Sequence, residues 1–156
     1  MPVTPEESDG VFPQAGPTML YLVKQLELAV RASLDEVLRP VAVTTAQYTA
    51  LTVLERRAGL STAELARNSF VTDQSAADMV GVLEDRGLVV RLPDARDRRR
   101  RVLRLTDEGR ALLDSVRADV DEVERRMLAP LAAGDAAALR SYVAACRGAL
   151  SSAPPH

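Results

Sequence analysis

Residues 83–106, LEDRGLVVRLPDARDRRRRVLRLT, hold two short apolar runs on either side of a proline-led basic turn. LVVRL (88–92) and RRVLRL (100–105) are rich in β-branched and apolar residues, which favours strands. Between them PDARDRR (93–99) has the proline and aspartates of a turn, so the stretch reads as a β-hairpin with a basic tip. Charge separates it from the rest of the chain. From Arg86 to Arg104 eight Arg stand against two Asp, a net of +6 within a chain of net charge −2, so the remainder carries −8. Such a division attracts a polyanion at one place only.

Upstream of the hairpin the pattern is helical. STAELARNS (61–69) opens with Ser61 and has Glu64 three residues on, the spacing of a capping box. Phe70 and Val71 form an apolar link, and Thr72 opens TDQSAADMVGVLEDRG. There Ala76, Val80 and Leu83 recur as a buried face, Gln74, Ser75, Asp78 and Asp85 point elsewhere, and Gly87 ends the helix. Two short helices around a brief turn, the second polar at its start, make a helix-turn-helix. Followed by two strands and a basic loop, they describe a winged helix.

Further out, Thr44 and Gln47 repeat the capping-box spacing at the head of a helix that Gly59 is placed to end with a left-handed cap. Met19, Leu22, Val23, Leu26, Val30, Leu34 and Val37 recur at three and four residues in a long amphipathic helix stopped by Pro40. Thr106 caps a fifth helix with Asp107 and Glu108 at its positive end, and its apolar stripe runs to Pro130. A last helix carries Leu139, Tyr142, Val143, Cys146 and Leu150 on its inward side.

These outer stripes are too extensive for a winged helix of about 65 residues to cover, so a partner chain is expected. The fold expected is therefore mainly α with a small β-hairpin wing, a winged helix-turn-helix flanked by long N- and C-terminal dimerisation helices. Its divisions are a flexible arm (1–17), a dimerisation helix (18–40), the winged helix-turn-helix (41–105), C-terminal dimerisation helices (106–150) and a tail (151–156).

Composition narrows the function. No apolar run approaches the roughly 18–20 residues that span a bilayer, and the first residues lack the basic and apolar regions of a signal peptide. With Cys146 the lone cysteine, there is no intrachain disulfide framework, and the features together suggest a cytoplasmic protein. The only histidine is His156, and no Cys-His pair, phosphate-binding glycine loop or metal-ligand spacing occurs. Neither an enzyme nor a cofactor or metal is expected.

The ordered set of a helix-turn-helix, LEDRGLVVR, DARDRRRRVLRLT and LTDEGR resembles the MarR family of dimeric winged-helix transcription regulators, over roughly residues 18–150. The resemblance implies a homodimer on double-stranded DNA at a pseudo-palindromic operator. The second helix of the motif would enter the major groove and the wing would place an arginine in the minor groove. Carried onto this sequence, the groove-facing positions are Thr72, Gln74, Ser75, Ala77 and Asp78, and the wing positions are Asp94, Arg96, Asp97, Arg98 and Arg99. A repressor released by a small phenolic or anionic effector is expected, with Tyr21 and Tyr48 the candidate lining of its pocket.

Gln suits adenine N6 and N7, and Ser reaches a base or a phosphate. Many relatives carry a hydroxyl where Ala77 stands and a basic residue where Asp78 stands. Asp78 either accepts from cytosine N4 or weakens binding by repulsion. In the wing, Asp94 and Asp97 are expected to brace arginines, while Arg96, Arg98, Arg99 and Arg100 contact DNA, with Arg99 or Arg98 the one inserted in the groove. Arg100 and Arg101 enter the strand on opposite faces, so one of them is free for fold packing or phosphate contact. Ser61 is read both as a cap and as part of a phosphate site at the free N–H groups of its helix. Cys146, on an apolar stripe with no Lys or His beside it in sequence, reads as a small hydrophobe rather than a redox switch. The alternative keeps the fold but makes it a protein-interaction module with little DNA affinity.

Overall fold

The computed structural model describes residues 16–69 and 71–151. Most of the expected N-terminal arm, the link residue Phe70 and the tail beyond Ser151, with His156, lie outside the described residues. The elements run α1 (Met19–Leu38), a 3-10 turn (Arg39–Val41), α2 (Thr45–Arg56), α3 (Thr62–Ser69), α4 (Asp73–Asp85), β1 (Val89–Pro93), β2 (Arg101–Leu105), α5 (Asp107–Leu128) and α6 (Ala133–Ser151).

Helix starts are set by local side chains. Thr18, Thr44, Thr72 and Thr106 each accept a hydrogen bond from the backbone N–H three residues on, satisfying donors the helix leaves orphaned. At Thr44 the box is complete, because Gln47 Oε1 accepts from the Thr44 N–H at 3.0 Å. The helix ends differ more from expectation. Helix α2 stops at Arg56 with an extended Arg57, and Gly59 turns left-handed only two residues later. Its N–H and the Leu60 carbonyl pair with Leu103, fastening the α2–α3 connection to β2. Gly87 ends α4 as expected: at φ 69 it lets its own N–H reach Glu84 O and the Leu88 N–H reach Leu83 O.

The strands pair antiparallel, with Val89 opposite Leu105 and Pro93 opposite Arg101. Leu103 and Leu105 fall on the face that meets Leu51 and Leu54 of α2, Leu65 of α3 and Leu83 of α4, and this is the main core. Each such fully buried leucine contributes about 2 kcal/mol of burial free energy. Helix α5 starts against the wing's base: Thr106 donates to Gly87 O at 2.6 Å, and Gly109 sits so close to the Leu88 carbonyl that a Cβ would lie 2.3 Å from it. Arg86, at the C-cap of α4, reaches back to the Val41 and Ala42 carbonyls between α1 and α2.

The outer helices are covered on one side only. Of α1 only Leu38 is buried, and Met19, Leu20 and Val23 are open. The expectation that the α6 stripe points inward is corrected for the single chain: no residue of α6 is buried, Tyr142 is 68% and Leu150 79% exposed, and Cys146 is exposed. The periodicity is present, but within the described residues the same chain borders only its start, where Leu139 and Val143 face α1 and α5 across an open groove.

Candidate nucleic-acid interface

Helix α4 presents its reading face because its apolar residues are taken by the core. Ala76, Val80 and Leu83 are fully buried, which turns Gln74, Ala77 and Asp78 outward at 100° per residue. Thr72, Ser75 and Asp73 are also exposed at the helix start. The Thr72 hydroxyl accepts from the Ser75 N–H at 3.2 Å and donates to Ser75 Oγ at 2.9 Å, so both groups are oriented before any ligand arrives. Gln74 Nε2 donates to Asp78 Oδ1 at 3.1 Å across one turn. No Lys or Arg occurs in α4, whereas Asp73, Asp78, Glu84 and Asp85 do.

The wing supplies the opposite charge. Its turn is closed by backbone bonds from Asp94 N to Arg100 O at 2.8 Å and from Arg100 N to Asp97 O at 2.9 Å. Two aspartates shape the loop between: Asp94 Oδ1 accepts from the Arg96 N–H at 2.9 Å, and Asp97 Oδ1 from the Arg99 N–H at 3.0 Å. Asp97 thus braces backbone rather than a guanidinium. Arg96, Arg98 and Arg99 stand exposed at the tip. Among the described residues none of the three has a carboxylate within ion-pair distance.

Arg100, expected at the DNA, is instead turned onto two carboxylates. Its guanidinium pairs with Asp94 Oδ2 at 3.1 Å and with Glu64 Oε2 of α3. Glu64 is doubly employed, because it also accepts from the Ser61 N–H at 2.7 Å while Ser61 Oγ accepts from the Glu64 N–H. Ser61 is therefore engaged as a cap, and the same carboxylate that completes the cap anchors the wing. The Ser61 N–H, helped by the Ser61 hydroxyl and by Arg100, holds the Glu64 carboxyl below its ordinary pKa. The Arg96 N–H, with Arg100 adding, does the same for Asp94.

Sequence reasoning found Glu64 as a cap but missed its grip on the wing, and it missed Arg86 altogether. Both partners are distant in sequence, so no local spacing marks them.

The two tyrosines are not brought into one cleft by any contact seen. Tyr21 is exposed on α1 and accepts from Gln25 Nε2 at 3.1 Å. Tyr48 is half-buried against the main core, and burial raises its hydroxyl pKa while nearby Arg117 opposes the rise. Two open grooves lie elsewhere, one between α1 and α5 around Leu26, Ser33 and Arg126, the other bounded by α1, α5 and α6 around Val30, Leu139 and Val143. Neither includes a tyrosine. Among the described residues no cluster of His, Cys, Asp and Glu is arranged to hold a metal ion, and no helix is long and apolar enough to cross a membrane.

A model of the MarR family matches residues 43–100, the span from the start of α2 to the wing tip. The HTH-type transcriptional repressor Rv2887 of Mycobacterium tuberculosis is 34% identical over 113 residues, covering 72% of this chain and 81% of the relative. Among solved structures, the transcriptional repressor CouR bound to a 23-mer DNA duplex superposes with a TM-score of 0.76 at 31% identity, covering 83% of this chain and 92% of that one. CouR from Rhodococcus jostii RHA1 bound to p-coumaroyl-CoA gives a TM-score of 0.72 at 27% identity, with 79% and 87% covered.

Proposed function

The chain belongs to the MarR family, and from that membership we propose that it is a cytoplasmic, homodimeric repressor that occupies a pseudo-palindromic operator and leaves it on binding a small anionic effector. The observation that carries the reading is the wing tip. Arg96, Arg98 and Arg99 are held outward by a turn whose own aspartates are engaged with backbone N–H groups, beside a helix-turn-helix with an uncovered polar face. Unpaired guanidinium groups on a narrow hairpin suit a phosphate-lined minor groove.

The exposed α1 and α6 stripes support the dimer. A two-fold partner laid over Met19, Leu20, Tyr142 and Leu150 would cover them and set two reading heads about one helical turn of DNA apart. The similarity to a repressor solved both on DNA and with p-coumaroyl-CoA supports an effector that favours one head spacing over another. The reading assigns the chain no catalysis.

The test is a gel shift with the DNA upstream of the protein's own gene, followed by addition of aromatic acids and their CoA thioesters. A shift at submicromolar protein, reversed by one of these classes, is expected. Failure to shift that DNA even at low salt would favour the protein-interaction module, which the acidic face of α4 otherwise recommends.

A further inference from the structure

An acidic recognition helix is an odd tool for approaching a polyanion. Helix α4 has no Lys or Arg, and among the described residues only Glu84 of its four carboxylates is ion-paired, to Arg91, so the exposed Asp73, Asp78 and Asp85 repel phosphates. Along the line opposite the buried Ala76, Val80 and Leu83 stand Gln74, Asp78, Gly81 and Asp85. A Cβ added at Gly81 would meet nothing within 4 Å, so the line is bare for a turn beyond Asp78. Side chains able to touch base edges on this line are therefore concentrated at Gln74 and Asp78.

From this arrangement, and resting on the DNA-binding reading above, we infer that Asp78 is a specificity-determining residue that accepts a hydrogen bond from a cytosine N4 amino group, with Gln74 as the positioning residue that orients it. An ionised aspartate only accepts. In the major groove guanine offers two acceptors and thymine an acceptor and a methyl, so both oppose it, and adenine sets its N7 acceptor beside its N6 donor. Cytosine N4 presents a donor without an acceptor of its own beside it.

The Gln74–Asp78 bond fixes the rotamer of the carboxylate in advance and leaves Gln74 its carbonyl and one N–H for a neighbouring base. The labour is divided: the free wing arginines supply attraction, and α4 supplies discrimination.

The experiment is selection from a random duplex pool by the full-length wild type, Asp78→Asn, Gln74→Ala and the Arg98→Ala/Arg99→Ala double variant. The wild type should enrich cytosine at one position in each half-site, roughly tenfold over the other bases. Asp78→Asn keeps an acceptor oxygen but adds an N–H donor, so it should move the preference from cytosine towards adenine at that position alone while binding unrelated DNA more tightly, because a repelling charge is gone. Gln74→Ala should weaken the cytosine preference without raising affinity for unrelated DNA. The double variant should bind more weakly with the cytosine preference intact. Identical preferences in wild type and Asp78→Asn, or a change spread evenly over all positions, would overturn the assignment while leaving DNA binding standing. No enrichment by any protein would overturn the DNA-binding reading and this inference with it.

Discussion

Arg86 donates to the carbonyl oxygen of Ala42 at 2.6 Å, and its second terminal nitrogen donates to Val41 O at 2.9 Å. Ala42 is left-handed at φ 52 and ψ 45, an unfavourable setting for a residue with a Cβ. The end of the recognition helix is thus clasped to the joint between α1 and α2, where the reading head meets the long first helix. Removing the clasp with Arg86→Ala should cost about 1–2 kcal/mol, the low end for charge-assisted bonds because Arg86 is exposed. Urea denaturation measures it, and Arg86→Lys should recover only part, since one ammonium cannot reproduce the fork. Unchanged stability in Arg86→Ala would remove the clasp from the account.

Gly109→Ala should be among the most damaging single-methyl changes. The new Cβ would lie 2.3 Å from Leu88 O and 2.7 Å from Leu105 Cδ1. That carbonyl is held by the Thr106 N–H at 3.1 Å, so it cannot simply swing away. A loss of about 3 kcal/mol is expected, read as a fall in melting temperature.

Acid should loosen the wing anchor. Glu64 and Asp94 have pKa values below their ordinary ones, so in acid the unfolded chain binds more protons than the folded one. Their contribution is complete near neutrality and lost as pH falls from about 5 towards 3. Glu64→Gln keeps an oxygen for the Ser61 N–H but gives up the charge facing Arg100. Its stability should therefore vary less between pH 6 and pH 3 than that of the wild type. An equal pH dependence in the two proteins would mean that the Glu64 charge contributes nothing.

Much of this was legible in the sequence wherever the determinant is local. The Thr44 and Ser61 capping boxes, the Thr106 cap and the Gly87 stop all lie within a few residues of what they control, and the structure has them in place. The Arg100–Glu64 and Arg86–Ala42 contacts span 36 and 44 residues, and nothing in either local pattern announces the partner. Arginine spacing likewise marked the wing as basic without revealing that Arg100 turns back into the fold. For α6, periodicity shows that an apolar stripe exists, but it cannot say which chain covers it.

If a second chain covers that stripe, charging it should separate the dimer. Tyr142→Glu/Leu150→Glu places two carboxylates on a face that is open in the single chain, so the protomer itself should stay folded. Sedimentation should find a dimer for the wild type and a 16.9 kDa species for the variant. A wild type that sediments at 16.9 kDa would contradict the proposed partner.

The salt dependence of operator affinity tests the central claim most directly, measured on one duplex for the wild type and for Arg98→Ala/Arg99→Ala. Each phosphate neutralised contributes about 0.9 to the slope of log K against log salt. A steep fall for the wild type, and for the double variant a slope shallower by roughly one to two with most of the affinity gone and the fold intact, is the expected result. Equal slopes and equal affinities for the two proteins would contradict it.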